Sequence, residues 1–148
     1  MKHIIFDDPY NKKTNFLLDI NQFNEIETIY NNGINVEFEK EIKKKVNSYK
    51  NQDKQKNKYD INQFITYQEI ITKLYESKLK CFYCNCDVLI LYNKKRENKQ
   101  WTLERLNNNL GHYNSNTCIS CLHCNLQRRT DNYEYFKNGK QLKINIIK

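Results

Sequence analysis

Cys81-Phe82-Tyr83-Cys84 and Cys121-Leu122-His123-Cys124 are two C-x-x-C pairs with 36 residues between them. Each pair makes a tight knuckle that presents two thiolates from one turn. Two knuckles supply four sulfurs at about 2.3 Å from a common centre, the donor set of a tetrahedral Zn²⁺ with no open position. Cys81, Cys84, Cys121 and Cys124 are therefore read as the ligands of one structural zinc. Cys118-x-x-Cys121 is also a legal knuckle, so Cys86 and Cys118 complicate the assignment. Buried free thiols are the simpler reading for those two, because free cysteine is commonly a small core residue. A thioredoxin-like role does not fit, since the pairs are not set in a βαβ pattern.

Working outward from the knuckles, Val88–Tyr92 reads as a β-like run and residues 93–100 as a polar turn. Trp101-Thr102-Leu103 is a second β-like run, and Asn107 to Gly111 is loop. A short strand is expected near Asn116–Ser120, then a helix from about Cys121 to Arg129. Ahead of the first knuckle, Thr66-Tyr67-Gln68-Glu69 is a capping box, opening a helix to about Ser77 with Ile70, Ile71, Leu74 and Tyr75 on its apolar side. The tail offers a helix from Asn132 to Lys137 and a strand-like Leu142–Ile147. Near the N-terminus, Ile20, Phe23, Ile26 and Tyr30 recur every three to four residues, with Gly33 placed to stop that helix. A second stripe, Phe38, Ile42, Val46 and Tyr49, follows on a Lys-rich background. Residues 48–59 are nearly all polar and read as a linker. The organisation expected is thus a helical region with a polar linker over 1–60, of no readable role, and one domain over 61–148.

The whole chain is 148 residues long, room for one domain with a small helical appendage. The longest apolar run is far short of the roughly 20 residues that cross a bilayer, and no secretory signal is readable at the start. A soluble, intracellular protein without a membrane partner is expected, and a reducing compartment favours metal binding over disulfides. Abundant Asn, Lys, Ile and Tyr follow the codons of an AT-rich genome. That bias suits a virus, phage or mobile element, although many cellular genomes share it. The net charge of +8 is unevenly placed: residues 1–77 hold 12 basic and 12 acidic side chains, residues 78–148 hold 13 and 5. A basic half beside a neutral one points to a nucleic-acid partner.

The stretch Trp101-Thr102-Leu103-Glu104-Arg105-Leu106-Asn107-Asn108-Asn109-Leu110-Gly111-His112-Tyr113-Asn114-Ser115-Asn116, with the residues from Thr117 to Asn125 behind it, resembles the HNH endonuclease family. The resemblance covers about residues 66–130. It implies an α+β fold whose centre is a zinc-stapled ββα-metal (HNH, treble-clef-like) core. In that core a first strand ends in an acidic residue and a His, a loop leads to a structural Asn, and the helix after the second strand supplies an Asn or His. Zinc-bearing members frame it with two C-x-x-C pairs, the second running directly into that Asn, as Cys124-Asn125 does. Carried over by position, Glu104 matches the acidic metal ligand, Asn116 the loop-fixing Asn and Asn125 the helix-borne ligand. Arg105 falls where most members have the general-base His. A subgroup similar to this chain reads Asp-Arg-x-Asp-Asn followed by Gly-His or Gly-Tyr; here Glu104 and Asn107 replace the two Asp. The activity implied is metal-dependent cleavage or nicking of DNA, leaving 5′-phosphate and 3′-hydroxyl ends.

The chemistry asks for such residues in its own right. Phosphodiester hydrolysis needs a cation to offset charge and a base or metal to make hydroxide. Mg²⁺ or Mn²⁺ takes oxygen ligands and keeps several waters, so Glu104 and Asn125 suffice as protein ligands. Arg105 can hold a phosphate oxygen but cannot accept a proton. His112, seven residues on, is the general-base candidate, against the plainer reading of a loop histidine that packs the turn. Lys94, Lys95, Arg96 and Lys99 beside the first strand, and Arg128 with Arg129 after the second, are candidate contacts to the DNA backbone. The rival class is a catalytically silent zinc module that binds DNA or RNA; a zinc-stabilised protein-interaction domain is a third reading.

Overall fold

The computed structural model describes residues 21–147, so Ile20 of the first stripe lies outside the described residues. Helix α1 spans Gln22–Tyr30, α2 Val36–Gln55 and α3 Tyr67–Glu76. Each begins on a side-chain cap, from Asn21, Asn35 and Thr66 respectively, and Thr66 with Glu69 closes the expected capping box. The three also end alike. At the end of α1 the Gly33 N–H reaches Thr28 O at 2.7 Å and the Asn32 N–H reaches Ile29 O at 3.0 Å, with Asn32 at φ 70°. This is a Schellman ending in which asparagine takes the left-handed position. Asn57 (φ 58°) and Lys78 (φ 55°) end α2 and α3 the same way. Asn32 rather than Gly33 thus makes the turn that stops α1, and Gly33 is needed for space: a Cβ there would lie 2.4 Å from Thr28 Cγ2 and 2.7 Å from Thr28 O.

Helix α2 runs through most of the segment read as a linker. Its apolar residues Phe38 and Ile42 are fully buried. Beyond them the helix is held by polar contacts: Lys45 Nζ donates to Trp101 O, the Tyr49 hydroxyl accepts from the Leu103 N–H at 3.1 Å, and Lys58 Nζ just past the helix donates to Asn108 O at 2.7 Å. Helices α1, α2 and α3 enclose Ile26, Phe38, Ile42, Ile70, Ile71 and Leu74, and this core continues into Val88, Ile90, Trp101, Leu103 and Ile119.

Strands β1 (Trp101–Arg105) and β2 (Thr117–Cys121) pair antiparallel, with Trp101 opposite Cys121 and Arg105 opposite Thr117. Helix α4 (Leu122–Arg128) follows β2 directly and packs on both strands. The fold is therefore α+β, a small two-stranded sheet among helices. Val88–Tyr92 is not a strand. Val88 and Leu89 bond the backbones of Leu79, Lys99 and Trp101. The next two residues are met by the buried side chain of Gln22, whose Oε1 accepts from the N–H groups of Ile90 (2.8 Å) and Leu91 (3.1 Å) while Nε2 donates to Leu91 O (3.0 Å). The tail is one helix, α5 (Tyr133–Ile147), in place of the expected helix and strand. Its Phe136 meets the Tyr83 ring edge-on at 5.0 Å. Among the described residues no helix is long and apolar enough to cross a membrane.

Candidate functional site

The four cysteines singled out by their spacing come together. Their Sγ atoms all lie within 4.8 Å of one another, and Cys84 Sγ is 3.9 Å from Cys121 Sγ. Thiolates at about 2.3 Å from one tetrahedral centre are separated by roughly 3.8 Å, so the group is spaced to hold a metal ion such as zinc. Each knuckle is shaped by N–H···S bonds: Cys81 Sγ accepts from Tyr83 N (3.3 Å) and Cys84 N (3.5 Å), and Cys121 Sγ from Cys124 N (3.4 Å). Asn85, left-handed at φ 64°, turns the chain out of the first one. Cys118 stands outside the group of four, whereas the Cys86 thiol, not one of the four, adjoins it beside Cys81, Cys84 and Cys121. Cys86 gives its carbonyl to the Cys81 N–H at 2.8 Å. Cys118 sits on β2 opposite Glu104, and burial pushes its thiol up.

Next to this cluster an open cleft of about 260 Å³ is lined by Glu104 and Arg105 from the end of β1, His112 from the loop, and Asn125 and Arg129 from α4 and its end. Tyr49 and Gln52 of α2 also line it. Glu104 is 6% exposed. Its Oε2 accepts from Arg128 Nη1 at 2.9 Å and from the Tyr83 hydroxyl at 3.1 Å. Burial raises its carboxyl above the ordinary range, with Arg128 opposing. Asn125 Nδ2 donates to Thr102 Oγ1 at 3.1 Å, and that hydroxyl in turn donates to Ser120 O at 2.9 Å. The amide is thereby oriented, its carbonyl oxygen being the end not bound to Thr102. Arg105 ties the loop through Nη1 to Asn108 O and Leu110 O, both at 3.2 Å.

Asn116 is buried and outside the cleft. Its Oδ1 accepts from Asn107 N (2.9 Å) and its Nδ2 donates to the carbonyls of Asn107 and Gly111 (both 3.0 Å), which fastens the loop that carries His112. Arg128 does not reach outward to a DNA backbone. It is 2% exposed and spends its donors inside, on Glu104, on Asp131 O (2.8 Å), on Arg105 O (2.5 Å) and on Leu106 O (2.7 Å). Its neighbour Arg129, at φ 53°, is exposed and lines the cleft. Lys94, Lys95, Arg96 and Lys99 are exposed but precede Trp101, at the far end of a strand that runs about 13 Å to Arg105. Lys94 and Lys95 share a separate hollow with Lys44 of α2.

Two residues of this site were not read as site residues from the sequence, Asp53 not at all and Tyr49 only as part of an apolar stripe, and both come from α2. Asp53, 1% exposed, accepts from the His112 backbone N–H at 2.7 Å through Oδ2, and its Oδ1 meets His112 Nδ1 at 2.8 Å. Tyr49 stacks on the imidazole, ring centroids 4.6 Å apart. Burial, opposed by Asp53, lowers the His112 pKa from the ordinary value. Burial and the nearby Glu104 carboxylate push Tyr49 up to about 12. The available signal was periodic: Phe38, Ile42, Val46 and Tyr49 continue at helical spacing to Asp53. Comparisons of the chain with models of known families, with curated proteins and with solved structures gave no match.

Proposed function

We propose that this chain is a metal-dependent endonuclease of the HNH type, cleaving or nicking DNA around a ββα finger stapled by zinc on Cys81, Cys84, Cys121 and Cys124. The observation that carries the reading is the convergence of Glu104, His112 and Asn125 on one open cleft beside the four cysteines. The cleft fits a hard divalent cation such as Mg²⁺ or Mn²⁺, because it offers a carboxylate and an amide oxygen from adjacent elements. Glu104 and Asn125 would hold that ion, which when bound supplies charge compensation at the phosphate and the departing 3′ oxygen.

The chain's own residues do the rest. With Nδ1 directed at Asp53, the ring nitrogen of His112 left to take a proton from water is Nε2. Being neutral near pH 7, the imidazole is in the state a base requires. Arg129, exposed on the rim, grips a neighbouring phosphate, and Arg105 and Asn116 hold the loop that presents His112. The test is relaxation of supercoiled plasmid with Mg²⁺ or Mn²⁺ and with chelator. Metal-dependent nicking by the wild type, lost in His112→Ala with DNA binding kept, is expected. Binding without nicking under any metal overturns the proposal.

That second outcome belongs to the silent nucleic-acid-binding zinc module. It is favoured by one observation, that Glu104 Oε2 is already engaged by Arg128 and Tyr83.

A further inference from the structure

We infer that Asp53 is a positioning residue that fixes the tautomer and aim of His112, so that the N-terminal helix α2 is an integral part of the reacting site. The inference rests on the proposed nuclease reading, in which His112 takes the proton from water. Asp53 is a carboxylate in the last turn of α2, 1% exposed. Its two carboxylate oxygens both address a single residue 59 positions away: Oδ2 the backbone N–H of His112, Oδ1 its ring Nδ1. A tie that only docked the helix would be complete with the backbone bond. The second oxygen instead addresses the ring, and a carboxylate there holds the proton on Nδ1 and leaves the Nε2 lone pair free.

The ring is held from its face as well. Tyr49, one helical turn before Asp53, stacks on the imidazole, and its own hydroxyl is pinned by the Leu103 N–H. Rotation about the His112 side chain would break the Asp53 bond and the stack together. Helix α2 thus grips the imidazole by edge and face through residues i and i+4.

Asp53→Asn tests this with little change in shape. The amide has one acceptor oxygen. With that oxygen on the backbone N–H, its NH₂ group donates to Nδ1, and the ring proton moves to Nε2, the wrong nitrogen for a base. The expected result is a single-turnover nicking rate lowered roughly 10- to 100-fold, the range typical of partners that orient a functional histidine, with zinc content and DNA affinity unchanged. ¹⁵N NMR of the His112 ring, measured near pH 7.5, should show the proton on Nδ1 in the wild type and on Nε2 in the variant. A wild type that nicks and an Asp53→Asn protein that nicks as fast would overturn the inference, as would a rate loss that only tracks loss of folded protein. If the wild type does not nick at all, the nuclease reading fails, and the ¹⁵N readout still decides the positioning role. A wild-type ring protonated on Nε2 overturns that role even if the variant does not fold.

Discussion

Replacing Gly111 by alanine adds one methyl group where the end of helix α2 meets the loop before His112. That carbon would lie 2.5 Å from Lys58 O, 2.7 Å from Asp53 Oδ2 and 3.1 Å from Tyr113 Cε1. None of the three is a loose side-chain end. Lys58 O is backbone and also accepts from the Tyr113 hydroxyl at 3.1 Å, while Asp53 is committed to His112. Gly111 has no positive φ, so the position requires absence of a side chain for closeness and not for conformation. Overpacking of this kind costs about 1–3 kcal/mol. Relief by displacing Asp53 gives up bonds to a charged group, about 1.5–3 kcal/mol each. A net loss of about 2–4 kcal/mol is therefore expected for Gly111→Ala. Urea unfolding of the zinc-loaded protein reads it as a lower midpoint at constant slope. Combining the change with Asp53→Ala removes one obstacle, so the pair should cost less than the sum of the singles. A loss below about 0.5 kcal/mol, the range of an unremarkable surface change, would refute the close-approach argument.

Elemental analysis should give one zinc per chain, lost together with the fold in Cys81→Ser or Cys124→Ser and kept in Cys86→Ser and Cys118→Ser. Because His112 is neutral in the fold to lower pH than in the unfolded chain, its contribution to stability is full above about pH 6.5 and falls as pH drops below that value. The stability difference between wild type and His112→Gln, followed against pH, checks the sign, and a difference that grows on acidification would contradict it. Arg128→Met leaves the buried Glu104 carboxylate without its cation and should cost about 3–5 kcal/mol. The exposed Arg129→Ala should instead lower the salt slope of DNA binding by about 0.9 with stability unchanged. Gly139 in α5 has nothing within 4 Å of an added Cβ, so Gly139→Ala should raise stability by about 0.5–1 kcal/mol in thermal melts.

What could be read from the sequence was what is local. The knuckle spacing, the Thr66 box and the two short strands depend on residues a few positions apart, and each appears in the fold. The linker assignment failed because the second half of α2 is fastened by Lys45, Tyr49 and Asp53, polar side chains whose partners lie more than fifty residues on. Val88–Tyr92 has the composition of a strand, but the backbone groups of Ile90 and Leu91 are met by the side chain of Gln22, which no period in the run itself reveals. Arg128 and Arg129 are identical neighbours in sequence. The turn at Arg129, where φ is positive at 53°, separates them, one inward on Glu104 and one outward. The Asp53–His112 contact carries the same lesson for the cleft: its loop half was visible in sequence, and the half that orients the histidine was not.

The separation of Asp53 from His112 also sets an order in time. At 5–20 residues added per second, synthesis supplies His112 roughly 3–12 s after Asp53. Helices α1, α2 and α3 are all made before the first cysteine of the cluster, and they share the apolar residues Ile26, Phe38, Ile42, Ile70, Ile71 and Leu74. The remainder of α2 is Lys-rich and keeps company with water during the wait. The two strands and their loop are thus made after the helices that share this core, and Asp53 precedes His112 in the growing chain. Cys124 is the last of the four cysteines, and Asn125 and Arg129 of the cleft follow it. A chain that stops short of Cys124 therefore holds neither the closed cysteine cluster nor a complete cleft, and whatever chemistry the cleft performs begins only after both are made.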